Sequence, residues 1–254
     1  MREVSLGGNL NDAVRVGDTV RRRAGPWTPA VHALLHYLEQ AGFEAPRALG
    51  TDDQGREVLS FMDGDAESGT LAPIPPWVMA DEHLVAAAIL LRRYHDVVAA
   101  FRPPEDARWR YVAPTPFEVV CHNDWSPWNA LFRDGQLEAM LDWDLAGPGT
   151  RLWDVSKSAY FWAPLFEDLT SQSVPEKLRR VRLFLDAYRI EDRRDFLTTL
   201  KLSLRHMAQF VDDQASLGDP GMQRLASWDV PRKMAEDDVQ FLEAHHDAFE
   251  HGLG

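Results

Sequence analysis

The 254-residue chain contains a single cysteine, Cys121. That excludes an internal disulfide and any cysteine-rich zinc site. Long apolar runs are also missing. The best, "LVAAAILL", is far shorter than the ~20 residues a membrane helix needs, and Arg92 and Arg93 follow it. The opening "MREVSLGGNLNDAV" has no apolar signal core, so nothing in it suggests secretion and the expected compartment is the cytoplasm. Positive charge is scarce: 27 Lys and Arg stand against 40 Asp and Glu, for a net charge of -13. A negative surface field disfavours nucleic acid and anionic membranes as partners and mildly favours cationic small molecules. Lysine is scarcest towards the N-terminus, where none occurs before Lys157. There is no internal repeat and no low-complexity segment.

At 45% hydrophobic, the chain is long enough for one large domain or two lobes. The first sixty residues read as a small β-rich unit. "EVSL", "AVRV" and "TVRRR" are strand-like, with a hairpin turn at Gly17-Asp18. "GPWTPAVHALLHYLEQAG" reads as a helix capped by Thr28, with Pro29 at its first position and Gly42 beyond its end. Two more strands flank a polar turn at Asp52-Asp53-Gln54-Gly55. The turn-rich "DGDAESGTLAPIPP" is a plausible lobe boundary. A helix over "DEHLVAAAILLRRYHDVVAAF" follows, then short strands "FEVVC", "ALFRDGQ" and "LEAMLDW" with a turn at Asp134-Gly135. Beyond Leu152 the pattern is mainly helical.

One stretch concentrates polar chemistry between apolar flanks: "VVCHNDWSPWNALF", with "LDWD" shortly after. Phosphoryl transfer needs a carboxylate to align an attacking hydroxyl and take its proton, and hard oxygen ligands for magnesium. Asp124 with Asn129 five positions later supplies both from one loop, and Asp142 supplies a further metal ligand. A lone Asp-x-x-x-x-Asn is usually a loop making its own turn bonds. Here His122, the Asp142-Trp143-Asp144 run and the strand–helix–strand order ahead of them outweigh that reading. Trp125 and Trp128 read as packing residues, with one of them a candidate for an acceptor pocket. His32 and His36 lack the Glu of a zincin motif, and the cluster His245, His246, Asp247 and His251 reads as a solvated helix end.

The segment from Val119 to Asp144 resembles the aminoglycoside phosphotransferase family, small-molecule kinases of the protein-kinase-like fold. In that family the loop reads His-Gly-Asp-x-x-x-x-Asn and the metal motif Asp-[Phe/Trp]-[Asp/Glu]. The resemblance is also close to trifolitoxin-immunity-like phosphotransferases. It implies an α+β, two-lobed kinase-like fold: an antiparallel-sheet N-lobe over residues 1–64 and a mainly helical catalytic and acceptor-binding C-lobe over residues 65–254. It implies ATP (or GTP) and Mg2+ as cofactors. Asp124 becomes the catalytic base and His122 the brace of its loop. Asn129, Asp142 and more weakly Asp144 become metal ligands, and Asp154 a further brace. The backbone at Ser60, Phe61 and Met62 would hold adenine, and Gly7 and Gly8 would approach the phosphates. The implied activity is phosphorylation of a hydroxyl on a small, aminoglycoside-like acceptor, which the acidic composition favours as cationic or at least neutral. Two readings stand beside it: a non-catalytic nucleotide- or ligand-binding immunity protein, and a kinase for an ordinary metabolite.

Two family features are absent. With no lysine before Lys157, the third-strand phosphate-binding Lys is missing, and the following helix lacks its partner Glu, since Val31 stands near that position. Matching "TVRRRAG" to the third strand favours Arg21 as the substitute. Strand alternation instead puts Val20 and Arg22 on one face, where Val20 could pack on adenine.

Overall fold

The computed structural model describes residues 2–6, 12–66, 74–166 and 172–253. Its N-terminal part follows the order three strands, helix, two strands: β1 (Val4–Ser5), β2 (Val14–Val16), β3 (Thr19–Arg23), α1 (Thr28–Gln40), β4 (Ala48–Thr51) and β5 (Arg56–Ser60). The strands form one antiparallel sheet in the order β1-β2-β3-β5-β4. Its turns lie where positive φ is available, at Gly17 (φ 60) and Gly55 (φ 75). Asp52 organises the second turn by accepting the backbone N–H groups of Gln54 and Arg56. The start of α1 differs by one residue from the sequence expectation. Trp27 sits at the cap position, and the Thr28 hydroxyl instead accepts the N–H of Gly25 at 2.9 Å. Val31, where an acidic residue would stand in a kinase, is core.

The connector after the sheet is fastened at its start. Asp65 and Phe132 exchange two backbone hydrogen bonds, each 2.8 Å. The remainder is mostly helical, comprising α2 (Asp81–Val98), α3 (Arg151–Trp162), α4 (Val174–Tyr188), α5 (Phe196–Ser216), α6 (Pro220–Ser227) and the helical stretch from Val230 to Leu253. Side chains cap α3, α4 and α6 through Thr150, Ser173 and Asp219. Between α2 and α3 lie two small ribbons: β7 (Ala130–Arg133) with β8 (Gln136–Met140), and β6 (Val119–Cys121) with β9 (Gly147–Gly149). Asp134 (φ 50) and Gly135 (φ 74) close the first as a tight hairpin. Trp125, Trp143, Trp153 and Trp162 are fully buried around this centre. No described helix is long and apolar enough to cross a membrane.

Strand β9 is the sequence "GPG", which composition reads as a turn. It is a strand because it pairs with β6, and its glycines are there because a bulkier residue has no room. A Cβ on Gly147 would lie 1.9 Å from the Tyr111 carbonyl oxygen. Since β9 holds β6 and hence the loop that follows it, Gly147→Ala is expected to destabilise the protein by about 2 kcal/mol or more, the upper range for overpacking. Thermal unfolding should show a drop of several degrees, and an unchanged midpoint would contradict the close approach.

Candidate active site

Two segments meet at the floor of the cleft. The first leaves β6 as His122-Asn123-Asp124 and returns through a 3₁₀ turn, Pro127–Asn129, into β7. The second leaves β8 as Leu141-Asp142-Trp143-Asp144. Asn123 (φ 64) and Asp142 (φ 56) both adopt the left-handed region, a strained choice for non-glycine residues. Asp154 on α3 holds the first segment. Its two oxygens accept the backbone N–H groups of His122 (2.7 Å) and Asn123 (2.9 Å). His95, itself bonded to the Tyr188 hydroxyl, touches the same carboxylate at 3.0 Å. Burial opposes the Asp154 charge, but the His95 contact and the backbone N–H donors win, so its pKa is lowered.

His122 joins the two segments. Its Nδ1 accepts the Asp124 N–H at 3.2 Å and its Nε2 donates to the Leu141 carbonyl at 3.0 Å. That pattern requires the neutral ring with its proton on Nε2, in keeping with a pKa lowered chiefly by burial. Trp143 lies against the ring at 4.6 Å. Asn129 donates its amide N–H to both the carbonyl and the Oδ2 of Asp124, each at 2.8 Å.

The position of the N-lobe arginine corrects the sequence assignment. Arg22, not Arg21, lines the cleft. Its guanidinium touches Glu57, Asp142 (2.9 Å) and Asp144 (2.8 Å). Arg21 lies on the opposite face of β3, 3.5 Å from Asp52. The reason is strand alternation: Val20 and Arg22 share the cavity face, and β3 and β5 align Arg22 directly opposite Glu57. The carboxylate missing from the helix is thus supplied by the neighbouring strand, and Val31 leaves no unpartnered arginine. His32 of α1 reaches Glu57 at 2.9 Å, so it is a tether of this cluster rather than an ordinary helix residue. Burial works against the Arg22 charge, yet Asp144, Glu57 and Asp142 together raise its pKa.

Asp144 is buried between Arg22 and Arg110, the latter 3.4 Å away, and Arg110 continues to Asp219 at 2.7 Å. Burial pushes Asp144 up to about 6 against the pull of Arg22, which leaves it ionised at neutral pH. These ion pairs make it a partner of arginines rather than the metal ligand expected of it. Asp142, a third exposed, and Asn129 suit magnesium better. The Asn129 amide nitrogen is committed to Asp124, which leaves its oxygen, and only one Asp142 oxygen is bonded to Arg22. Among the described residues no cluster of three or more His, Cys, Asp and Glu could cage a metal. Two protein oxygens plus nucleotide phosphates is the usual environment of magnesium. The residues therefore fit this ion, and the surplus of carboxylates over guanidiniums would be eased by it.

Lys157 on α3 is the residue that sequence reasoning missed. It is buried, donates to the Asn123 carbonyl at 2.5 Å and lines the cavity beside Asp124. Burial lowers it to about 8, while Asp124 and Asp154 sustain its charge. Its signal was there: it lies one helical turn beyond Asp154, on the same face. At the hinge, Ser60, Phe61 and Met62 all line the cavity. The N–H groups of Ser60 and Phe61 are already bonded to Arg47 and Asp18. Among the described residues the Met62 N–H has no backbone partner. Gly7 and Gly8 lie outside the described residues. Trp125 is core and Trp128 lines the cavity, whose volume is about 440 Å³. His245 and His251 bond carbonyls of their own helical stretch.

Residues 106–197 match the profile of the family described as "Phosphotransferase enzyme family". The trifolitoxin immunity protein of Rhizobium leguminosarum bv. trifolii is 35% identical over 194 residues, 72% of this chain and 72% of that protein. A choline/ethanolamine kinase family protein from Mesorhizobium loti has a similar structure, with TM-score 0.63 and 16% identity, over 100% of this chain and 91% of that one. So does an amicoumacin kinase in complex with AMP-PNP, Ca2+ and Ami, with TM-score 0.64 and 12% identity, over 92% of this chain and 88% of that one.

Two outcomes follow from the charges. Arg22→Ala takes the shared guanidinium from Glu57 and Asp144, leaving them His32 and Arg110 alone, a loss of about 3 kcal/mol, the low end for breaking a buried pair. Arg21→Ala removes only a cleft-remote contact and should shift the unfolding midpoint little. Equal effects of the two would refute the register. The second outcome concerns Asp124, which burial pushes up to about 7, against Lys157 and Asn129. An unfolded Asp titrates near about 3.9, so the folded protein keeps this proton longer, and stability falls as pH rises from about 4 to 7. Denaturant titrations of the nucleotide-free protein at pH 5 and pH 8 should differ by about 2 kcal/mol more in the wild type than in Asp124→Asn. A slope that persists in the variant assigns it to another group.

Proposed function

Since the chain belongs to the phosphotransferase enzyme family, we propose that it moves the γ-phosphoryl group of ATP, with magnesium, to a hydroxyl of a small molecule in the cytoplasm. The observation that carries this reading is Asp124. It is a carboxylate at the cavity floor, raised to about 7, hydrogen-bonded by Asn129 and flanked by Asp142 and Lys157. Asp124 accepts the acceptor's hydroxyl proton as the oxygen bonds to phosphorus, and a base of this pKa is well matched to neutral pH. In this reading residues 1–64 are the nucleotide lobe and residues 65–254 the catalytic lobe. The Met62 N–H meets adenine, Val20 packs on it, and Arg22 meets the phosphates. Asn129 and Asp142 hold magnesium, which would offset phosphate charge, and Asp144 keeps Arg22 aimed. Lys157 holds the loop through Asn123 and keeps a positive charge near the transferred group.

The relative named for trifolitoxin immunity supports a toxin or antibiotic as acceptor, and a kinase of an ordinary metabolite would share the chemistry. A non-catalytic immunity protein is the second reading. It is favoured by the state of Arg22, whose contacts are all with carboxylates.

Asp124→Asn separates them. It should slow transfer by about 10²–10⁴-fold while leaving nucleotide affinity unchanged, because the base acts on the acceptor and not on the nucleotide. Single-turnover rates and nucleotide titrations give both numbers. Undiminished turnover removes Asp124 from its role, and nucleotide binding without any turnover in the wild type favours the second reading.

A further inference from the structure

The cavity is lopsided. One end is walled by the sheet and hinge. The other is walled by four helical segments, each contributing a pair of side chains at helical spacing: Lys157 and Phe161 from α3, Met207 and Val211 from α5, Met222 and Leu225 from α6, and Val230 with Met234 beyond it. Apart from Lys157 every one of these is apolar, and three are methionines. Among the described residues, the charged side chains lining the whole cavity are Arg22, Asp124, Asp142 and Lys157, all at its floor.

Acidic residues near this end do not face it freely. Asp219 is buried, bonded to Arg110 and to the N–H groups of Gly221 and Met222. Asp238 bonds the Tyr160 hydroxyl at 2.6 Å. Asp237 pairs with Arg232 at 2.7 Å, and Glu236 lies 3.9 Å from the same arginine. The negative net charge is thus an exterior property here. Among the described residues, the expectation of a cationic acceptor, which rested on that charge, finds no carboxylate on this helical wall to receive it.

We propose that the acceptor is a molecule with a substantial apolar body and a hydroxyl at one end. The body lies among Met207, Val211, Met222, Leu225 and Met234, and the hydroxyl reaches Asp124 at the polar floor. Methionine is unbranched and polarizable, so this wall suits an irregular apolar shape better than one fixed ring. A polycation would lose its hydration against these side chains without gaining a counter-charge. The inference rests on the phosphotransferase reading for the word acceptor, and on the cavity alone for the chemistry.

The test uses 1-octanol, ethanolamine and kanamycin as probes of the full-length protein with ATP and magnesium. Binding is read by calorimetry and transfer by ADP release. Octanol should bind at least tenfold tighter than ethanolamine or kanamycin. Met207→Gln with Met222→Gln should weaken octanol at least tenfold and leave ATP affinity unchanged, while Leu at both positions should retain octanol binding. The Leu variant also controls for a folding defect in the Gln variant. Tighter binding of ethanolamine or kanamycin, or octanol affinity indifferent to both pairs, overturns the proposal. Octanol binding without ADP release upholds the apolar site and counts instead against phosphoryl transfer.

Discussion

The structure depends on one buried charge, the guanidinium of Arg22. It projects from the sheet of the N-terminal lobe into the cleft and meets Glu57 on its own sheet and Asp142 and Asp144 on the loop below. Burying an arginine is costly unless every face of it is matched, and three carboxylates match this one. The same contacts fix the relation of the two parts of the fold. β3 cannot slide along β5 by one residue without turning Arg22 to the other face of the sheet and away from Glu57, Asp142 and Asp144. Arg110 extends the cluster to Asp219, the cap of α6, so the helix that closes the apolar end of the cavity is tied into the same network.

A kinase-like site ordinarily keeps its third-strand cation in place through a carboxylate on the next helix. Here the helix position is Val31, a core residue, and the carboxylate has moved to the adjacent strand. Such a transfer is geometrically easy, because directly opposed residues in an antiparallel pair bring their side chains together on one face. Arginine suits the new arrangement. Its planar fork can address several carboxylates at once, whereas an ammonium is a compact point charge. The replacement of lysine, the loss of the helix acid and the presence of Glu57 are therefore one change rather than three.

What the sequence revealed and what it hid divides along physical lines. Elements with strong local signals were legible: the hairpins at Gly17-Asp18 and Asp134-Gly135, the helix ended by Gly42, and the loop from His122 to Asn129. Each depends on residues close in the chain. The choice between Arg21 and Arg22 was not legible by matching to a family pattern, because it depends on a strand pairing that brings in Glu57, thirty-five residues away. Alternation alone did put Arg22 on the face of Val20. Strand β9 was hidden because glycine there answers to Tyr111, a long-range neighbour. Lys157 was hidden because its meaning comes from the Asn123 carbonyl above it. Net charge alone says little about the acceptor for a related reason: composition counts carboxylates without saying which are already paired.

The loop from His122 to Asn129 shows how such long-range partners act together. Asn123 has a strained backbone, and three groups hold it: Asp154 takes its N–H, Lys157 takes its carbonyl, and the Leu145 carbonyl takes its side-chain amide. Asp154 and Lys157 stand one turn apart on α3, so a single rigid helix grips the backbone of one residue from both ends. That grip sets the direction in which the next residue, Asp124, leaves the loop, and the His122 ring fixes it again from the other side through the Asp124 N–H. The carboxylate proposed to meet a hydroxyl is placed by α3 and by the segment leaving β8 more than by its own loop, which is why polar residues so far apart in the chain are buried together here.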